Sequence, residues 1–175
     1  MDPAVDLTLR AALVALFGIA AAHKLRDVRG FRATLAEYRL VPDALVPLAV
    51  IAVIGAELAG VAGLVLHRSA LLVAAGVLVL YAGAIGINLA RGRRHIDCGC
   101  AGPGARRPLS AWLVARNVAL AVAALSGTIA VRPRPLIWVD AVTVVGATAV
   151  LAAVYAAVDR MLADAPALAR LRGEA

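Results

Sequence analysis

Residues 70–90 read ALLVAAGVLVLYAGAIGINLA, a run that contains no charged side chain. A helix of this length rises about 30 Å, which matches the hydrocarbon core of a lipid bilayer. The segment therefore predicts a transmembrane helix, and similar apolar runs occur at 5–22, 44–66, 109–131 and 136–158. We expect an all-α fold, a polytopic membrane helical bundle of about five transmembrane helices.

The composition agrees with a membrane protein and excludes a typical soluble domain. Of the 175 residues, 63% are hydrophobic and 17% are charged, and the mean hydropathy is +0.89. Soluble domains carry about 25% charged residues. The apolar runs occupy most of the chain, so we predict a single membrane domain over 1–175, with antiparallel neighbouring spans joined by short connections.

The formal net charge of +7 indicates contact with membrane lipids rather than with nucleic acid. The basic residues lie at the ends of the spans and not on a polar face with aromatic residues between them. One side of the predicted bundle carries Arg68, Arg132 and Arg134. The other side carries thirteen basic residues, at positions 24, 26, 29, 32, 39, 91, 93, 94, 106, 107, 160, 170 and 172. The positive-inside rule places this second side in the cytoplasm, unless several of its arginines serve a site instead.

The connection between the first two spans predicts an interfacial helix over 28–41. Its apolar residues recur at helical spacing, and they are Val28, Phe31, Leu35, Tyr38 and Val41. Asp27 is suited to cap the start of this helix and Pro42 to end it. The helix is either a connector that lies on lipid headgroups or a lid over the connection at 91–108, since both lie on the same side.

The connection at 91–108 contains both cysteines of the chain, Cys98 and Cys100. Four glycines and two prolines make it a loop rather than a helix. Two cysteines separated by a single glycine can close a small disulfide ring, because glycine adopts the dihedral angles that such a ring needs. Strain makes such a disulfide easy to reduce, which favours exchange with a partner over a structural role.

Charged residues near the cysteines indicate how the thiols would react. The thiolate is the reactive form of cysteine, and nearby cations favour it. We assign Lys24, Arg91 and Arg116 to the stabilisation of a thiolate or an anionic substrate, and His95 or Asp97 to proton transfer. Lys24 is the only lysine in the chain, which suggests a position that needs a compact ammonium group.

Polar residues within the spans mark a second candidate region, because an ionisable group at membrane depth is a functional candidate by default. Glu57 lies near the middle of the second span, and Asn88 and Asn117 lie in the third and fourth spans. Together with Tyr38, they are assigned to a pocket that supports the cysteines or binds a quinone. The alternative is that Glu57 and Arg116 form an ion pair that only holds the bundle together.

Other functions remain open for the cysteine loop. His95, Cys98 and Cys100 are soft and borderline ligands that could hold copper, zinc or mercury, although such short spacing seldom completes a tetrahedral site. An iron–sulfur cluster needs four cysteines and thus a homodimer. In the remaining alternative, the chain is a membrane assembly factor whose cysteines are incidental.

The cysteine motif and its surroundings resemble the MauE family, the methylamine-utilisation membrane proteins that are allied to DoxX-like proteins. The resemblance covers residues 9–125, and it rests on Arg91-Gly92, Asp97-Cys98-Gly99-Cys100-Ala101-Gly102, Arg116-Asn117, Lys24, Phe31, Tyr38, Leu40, Pro42 and Glu57. Ala101 departs from the family pattern, in which an aromatic residue is expected. This departure leaves the thiol pair intact.

The resemblance implies a DoxX-like four-helix core in a bacterial plasma membrane, associated with thiol–disulfide processing of other proteins. It also implies a thioredoxin-like partner and, in methylamine oxidisers, the maturation of a disulfide-rich dehydrogenase subunit. From the residues and the resemblance together, we predict a thiol–disulfide oxidoreductase or an electron-relay subunit. A quinone in the membrane is the candidate co-substrate, and a homodimer is among the oligomeric states that the sequence leaves open.

Overall fold

The computed structural model describes residues 1–99 and 108–171, with side chains through residue 162. Within these ranges the chain forms six α-helices: α1 (Pro3–Arg26), α2 (Val28–Glu37), α3 (Val46–Leu66), α4 (Ala70–Ala90), α5 (Ala111–Ser126) and α6 (Trp138–Leu171). A 3₁₀ turn at Asp43–Leu45 leads into α3. Apart from an isolated bridge between Asp97 and Pro108, the described residues contain no β-structure, so the predicted all-α bundle is confirmed.

Four segments are long and apolar enough to cross a membrane, and they are Pro3–Arg26, Asp43–Leu66, Ala70–Ala90 and Trp138–Leu162. The α5 helix has 16 residues and rises about 24 Å, which is shorter than a typical span. The sequence had indicated a longer span at 109–131. Instead, the chain leaves the helix at Gly127, and the amide of Arg132 donates to the carbonyl of Met1 at 2.9 Å.

Four of the helices form the core of the bundle. The α1 helix packs against α3, α3 against α4, and α4 against α5. Leu13 and Phe17 of α1 meet Leu71 and Leu78 of α4 in one buried apolar cluster, which α5 completes with Ala121. Because lipid tails are as apolar as these side chains, the cluster stabilises the bundle through close van der Waals packing rather than through removal of apolar surface from water.

The α6 helix lies outside this core and packs mainly on α1. Its apolar side chains face outwards, and Val142, Val145 and Val150 are all more than half exposed. A helix whose apolar surface is uncovered by protein is stable in a bilayer, where lipid tails surround it. The α6 helix is therefore a peripheral, lipid-facing element of a polytopic membrane protein.

Arginine side chains hold together the end of the bundle that lies opposite Cys98. Arg68, between α3 and α4, donates to a carboxylate oxygen of Asp6 at 2.8 Å and to the carbonyl of Gly127 at 2.6 Å. Arg10 donates to the carbonyls of Leu64 and Val65 at 2.7 and 2.8 Å. These bonds satisfy carbonyl groups at the ends of α3 and α5 that have no partner within their own helices.

A third arginine joins the start of α1 to the start of α6. Arg134 donates to Asp2 at 2.9 Å and to Asp140 at 2.7 Å. The Arg134 guanidinium, helped by the amide of Ala4, holds the pKa of Asp2 below its ordinary value. The two carboxylates in turn raise the pKa of Arg134. This network fixes the start of α1 beside the start of α6.

The α2 helix covers the first turns of α3. Asp27 caps it, since a carboxylate oxygen of Asp27 accepts from the amide of Gly30 at 2.9 Å. The helix is shorter than the predicted 28–41, because Arg39 adopts a positive φ of 47° and ends the helical path before Pro42. Phe31 is among the side chains that pack on the start of α3, against a cluster that includes Ile54.

Candidate functional site

Backbone contacts join the two sides of the cysteine loop at residues 96–97 and 108–109, and we call this junction the neck. The amide of Leu109 donates to the carbonyl of Ile96 at 3.0 Å, and Asp97 pairs with Pro108 in an antiparallel bridge. Ile96 and Leu109 are both buried. The two sides of the loop at 91–108 are therefore fastened together just outside the cysteines, and this holds Cys98 against the bundle.

A tight turn follows Cys98. A carboxylate oxygen of Asp97 accepts from the amide of Gly99 at 2.8 Å, and Gly99 has a φ of +70°. Side chains rarely adopt this left-handed conformation, so the turn depends on glycine. Cys98 itself is only 8% exposed. Cys100 lies outside the described residues, as does the rest of the loop at 101–107.

The α2 helix and the residues after it cover Cys98 and Gly99. The hydroxyl of Tyr38 donates to the carbonyl of Cys98 at 3.4 Å. A Cβ atom at Gly99 would lie 3.3 Å from the ring of Phe31 and 3.4 Å from the Thr34 methyl group, so α2 packs directly on the turn. Of the two roles considered for the helix at 28–41, the contacts favour a lid.

Two arginines of the cysteine loop bind the end of α2 and the residues after it, which together form the cover over Cys98. Arg93 donates to the carbonyl of Glu37 at 3.2 Å, and Arg91 donates to the carbonyl of Arg39 at 3.3 Å. These carbonyls belong to the end of α2 and the residues after it, where backbone acceptors lack helical partners. Arg91 thus has a structural contact in addition to its predicted role beside the thiols.

A buried ion pair lies on the inner side of the same cover. The ammonium of Lys24 lies 2.6 Å from one oxygen of Glu57, and the hydroxyl of Tyr81 donates to that oxygen at 2.7 Å. The side chains of Lys24 and Glu57 are 3% and 0% exposed. The ammonium also lies 5.3 Å from the centre of the Phe31 ring, at the distance of a cation–π contact.

The ion pair and the cysteine motif occupy neighbouring levels of the bundle. Cys98 belongs to a buried cluster with Ile85 of α4 and Leu113 of α5. Tyr81 precedes Ile85 by one helical turn on α4, and Asn117 follows Leu113 by one turn on α5. Because α4 and α5 are antiparallel, both steps lead away from the loop and into the membrane. Tyr81 and Asn117 therefore lie about one helical turn below the residues of α4 and α5 that share a buried cluster with Cys98.

Arg116 and Glu57 do not form the ion pair that the sequence offered as an alternative. Arg116 lies 3.2 Å from Asp159 of α6, and its guanidinium lies 5.7 Å from the centre of the Tyr155 ring. The side chains of Arg116 and Asp159 are 9% and 11% exposed. Glu57 pairs with Lys24 instead. The predicted polar residues are therefore divided between two ion pairs on different sides of the core.

The two asparagines are bonded to their own helices. The side-chain amide of Asn88 donates to the carbonyl of Ala84 at 3.1 Å, and that of Asn117 donates to the carbonyl of Leu113 at 2.7 Å. Among the described residues, no partner lies within hydrogen-bond distance of the Asn88 side-chain oxygen. The assignment of these residues to a quinone pocket stays a prediction.

The candidate metal ligands differ in their exposure to solvent. His95 is exposed, whereas Cys98 is buried. In the part of the chain that the structure describes, no three His, Cys, Asp or Glu side chains are grouped as metal ligands. Because Cys100 lies outside that part, the set of His95, Cys98 and Cys100 also stays a prediction.

Sequence reasoning missed Tyr81 and Asp159. Tyr81 carries the one hydroxyl in the run 70–90, and it lies at nearly the same distance from the α3–α4 turn as Glu57. Residues equally distant from a tight turn face each other in a helical hairpin, so this signal was present. Asp159 lies just beyond the predicted span at 136–158, and only the length of α6 brings it to Arg116.

The family model and the similar proteins that match this chain all indicate the same family. The family model described as Methylamine utilisation protein MauE matches residues 2–130, which include α1 to α5 and the cysteine motif. The resemblance drawn from the sequence motifs is therefore confirmed. No solved structure matches the chain.

Several methylamine utilisation proteins MauE are similar to the chain over most of its length. The protein of Paracoccus denitrificans is 38% identical over 157 residues, covering 86% of this chain and 84% of the relative. That of Methylorubrum extorquens is 39% identical over 126 residues, covering 70% and 68%. That of Methylophilus methylotrophus is 32% identical over 170 residues, covering 92% and 87%. With its membrane-crossing helices, the chain is a multi-pass bacterial membrane protein.

Proposed function

We propose that this chain, which belongs to the MauE family of methylamine utilisation proteins, is a membrane thiol–disulfide exchange protein that uses Cys98 and Cys100. The observation that carries the proposal is the setting of Cys98. The residue is buried, fastened by the neck at Ile96 and Leu109, and covered by α2. The glycine-dependent turn and the cover together fix the position of Cys98 at the mouth of the bundle, which supports a role for its thiol.

In the proposed reaction, the thiolate of one cysteine attacks a disulfide of a partner protein. A mixed disulfide forms, and the second partner sulfur leaves as a thiolate that takes up a proton. The other cysteine then attacks the mixed disulfide, which closes the Cys98–Cys100 bond and releases the partner as a dithiol. Run in reverse, the same steps deliver a disulfide to the partner. The chain is thus an oxidoreductase or an electron-relay subunit of one.

The proposed partner is a soluble thioredoxin-like protein, since such proteins present the accessible dithiols that this exchange requires. The relatives are named for methylamine utilisation, and we place the exchange in the maturation of proteins of that system. Of the predicted cations, Lys24 shares a neighbour with the cysteine turn, since its ammonium lies 5.3 Å from the centre of the Phe31 ring and Phe31 packs on Gly99.

Trapping of mixed disulfides tests the proposal. A Cys100→Ser variant and a Cys98→Ser variant each lack one sulfur, so one of them should accumulate a covalent complex with the partner on non-reducing gels of membranes. The matched control is the double variant, which should give no such complex. If neither single variant traps a partner and the purified chain carries one metal ion that His95→Ala removes, the metal alternative replaces the proposal.

A further inference from the structure

Four arginines lie in the cover and in the first part of the cysteine loop, and we call them the cationic rim: Arg39, Arg91, Arg93 and Arg94. Side-chain bonds connect the two segments, since Arg91 donates to the carbonyl of Arg39 at 3.3 Å and Arg93 donates to the carbonyl of Glu37 at 3.2 Å. Three of the four residues are exposed, and Arg93 is half-buried. The cover and the loop therefore present a positively charged surface to solvent.

The charge of the rim is not neutralised by the part of the chain that the structure describes. Within residues 1–99 and 108–162, no aspartate or glutamate side chain forms an ion pair with a rim arginine. The opposite end of the bundle differs, because Arg68 lies 2.8 Å from Asp6 and Arg134 lies 2.7 Å from Asp140. The rim arginines are thus available to anionic groups outside the chain.

The sequence concentrates positive charge in the same two segments. Residues 26–43 and 91–108 together contain nine arginines and four acidic residues, a net charge of +5, whereas the whole chain has a net charge of +7. Clustered like charges repel one another, and an anionic partner relieves that repulsion. The segments that surround the cysteines therefore carry most of the excess charge that such a partner would meet.

A protein that exchanges a disulfide with Cys98 must approach the rim. The Cα atoms of two disulfide-bonded cysteines lie about 4–7 Å apart, so a mixed disulfide brings the partner backbone this close to Cys98. Arg94 precedes Cys98 by four residues, which span at most about 14 Å. A transient protein interface covers roughly 600 Å² on each partner, a patch about 30 Å across. An interface centred on Cys98 therefore includes rim residues.

We propose that the cationic rim is the docking surface for an acidic face of the redox partner beside the partner's dithiol, and this inference rests on the proposed thiol–disulfide exchange. Partner carboxylates pair with the guanidinium groups, whose forked N–H donors match a carboxylate. The attraction accelerates encounter and orients the partner towards the cysteines. The rim lies on the two segments that adjoin Cys98, which favours a protein over lipid headgroups, because an exchange partner must meet this surface and a lipid need not.

The test compares two peptide probes, each with one cysteine held as a thiopyridyl disulfide and flanked by either four aspartates or four lysines. The reduced chain is used in phosphatidylcholine nanodiscs, in the Cys98→Ser and Cys100→Ser backgrounds, so that each chain has one thiol. The thiolate attacks the cysteine sulfur of the probe, its bond to the thiopyridyl group breaks, and thiopyridone leaves with an absorbance that reports the rate. Both probes react with the same thiolate, so the ratio of their rates cancels changes in thiol reactivity.

The parent chain should favour the aspartate probe on the order of tenfold at low ionic strength, and high salt should remove most of this preference. Arg94→Glu should lower the ratio severalfold, and Arg39→Glu repeats the test in the cover. Arg94→Lys keeps the charge and should keep the ratio near that of the parent. The matched control is Arg132→Glu, which makes the same change of net charge at an exposed position at the opposite end and should leave the ratio unchanged.

Three outcomes overturn the inference. The first is a parent ratio near one or an equal fall of the ratio in Arg94→Glu and Arg132→Glu, and the exchange function then stands without the docking surface. The second is a difference between the parent and Arg94→Glu that disappears in nanodiscs with phosphatidylglycerol, which assigns the rim to lipid headgroups. The third is the absence of a mixed disulfide with either probe, in which case the exchange function itself fails.

Discussion

Arg116 of α5 lies 3.2 Å from Asp159 of α6, and this ion pair attaches the peripheral helix to the core of the bundle. The family model ends at residue 130, before α6 begins. The α6 helix contributes few buried side chains, so its position depends on contacts such as this one. The polar residue that the sequence assigned to the thiol site thus also has an architectural contact.

Replacement of Asp159 by Asn should destabilise the protein by about 3 kcal/mol, because it leaves the buried charge of Arg116 without its partner. Thermal unfolding in detergent micelles measures the change. The double variant Arg116→Met and Asp159→Leu removes both charges and should recover most of the loss. A single variant as stable as the parent would show that the ion pair does not hold α6.

Gly99→Ala should destabilise the cysteine turn by about 1–2 kcal/mol, because alanine is disfavoured at a φ of +70° and its Cβ would press on Phe31. Gly92 is a matched control, since it has a φ of +73° but open space around it. Gly92→Ala should therefore show the backbone cost alone. Equal losses of stability in the two variants would argue against the packing of α2 on the turn.

Truncation of Phe31 to alanine should increase the alkylation rate of Cys98 severalfold in the Cys100→Ser background. The ring covers Gly99, and its removal opens the cover without a change at the thiol. Arg32 lies on the exposed face of α2, so Arg32→Ala is the control and should leave the rate unchanged. An unchanged rate for Phe31→Ala would exclude α2 as a lid.

The junction of Asp2 and Arg134 should depend on pH in the acid range. Arg134 lowers the pKa of Asp2 in the folded protein, so this contact stabilises the fold above the ordinary pKa of aspartate. The stabilisation is lost as the pH falls through the lowered pKa, in the range below about 4. Limited proteolysis of the first residues should begin at a higher pH in Arg134→Met than in the parent. The same onset in both would contradict the contact.

The class of the fold and the place of the cysteines follow from the chain alone. A charge-free run as long as 70–90 favours a helix in lipid, because a helix pairs the backbone groups within the run itself. The spacing of Phe31 and Leu35 predicted a short helix beside the loop. These signals are local, since each depends on residues that are neighbours in the chain.

Which polar residues meet depends instead on how the helices pack. Lys24 and Glu57 are 33 positions apart, and Arg116 and Asp159 are 43 apart, so no local pattern could assign these partners. The choice follows from the packing of α1 on α3 and from the length of α6, which carries Asp159 to the level of Arg116. Ion pairs between helices depend on the register and rotation of whole helices, and many side chains together set these.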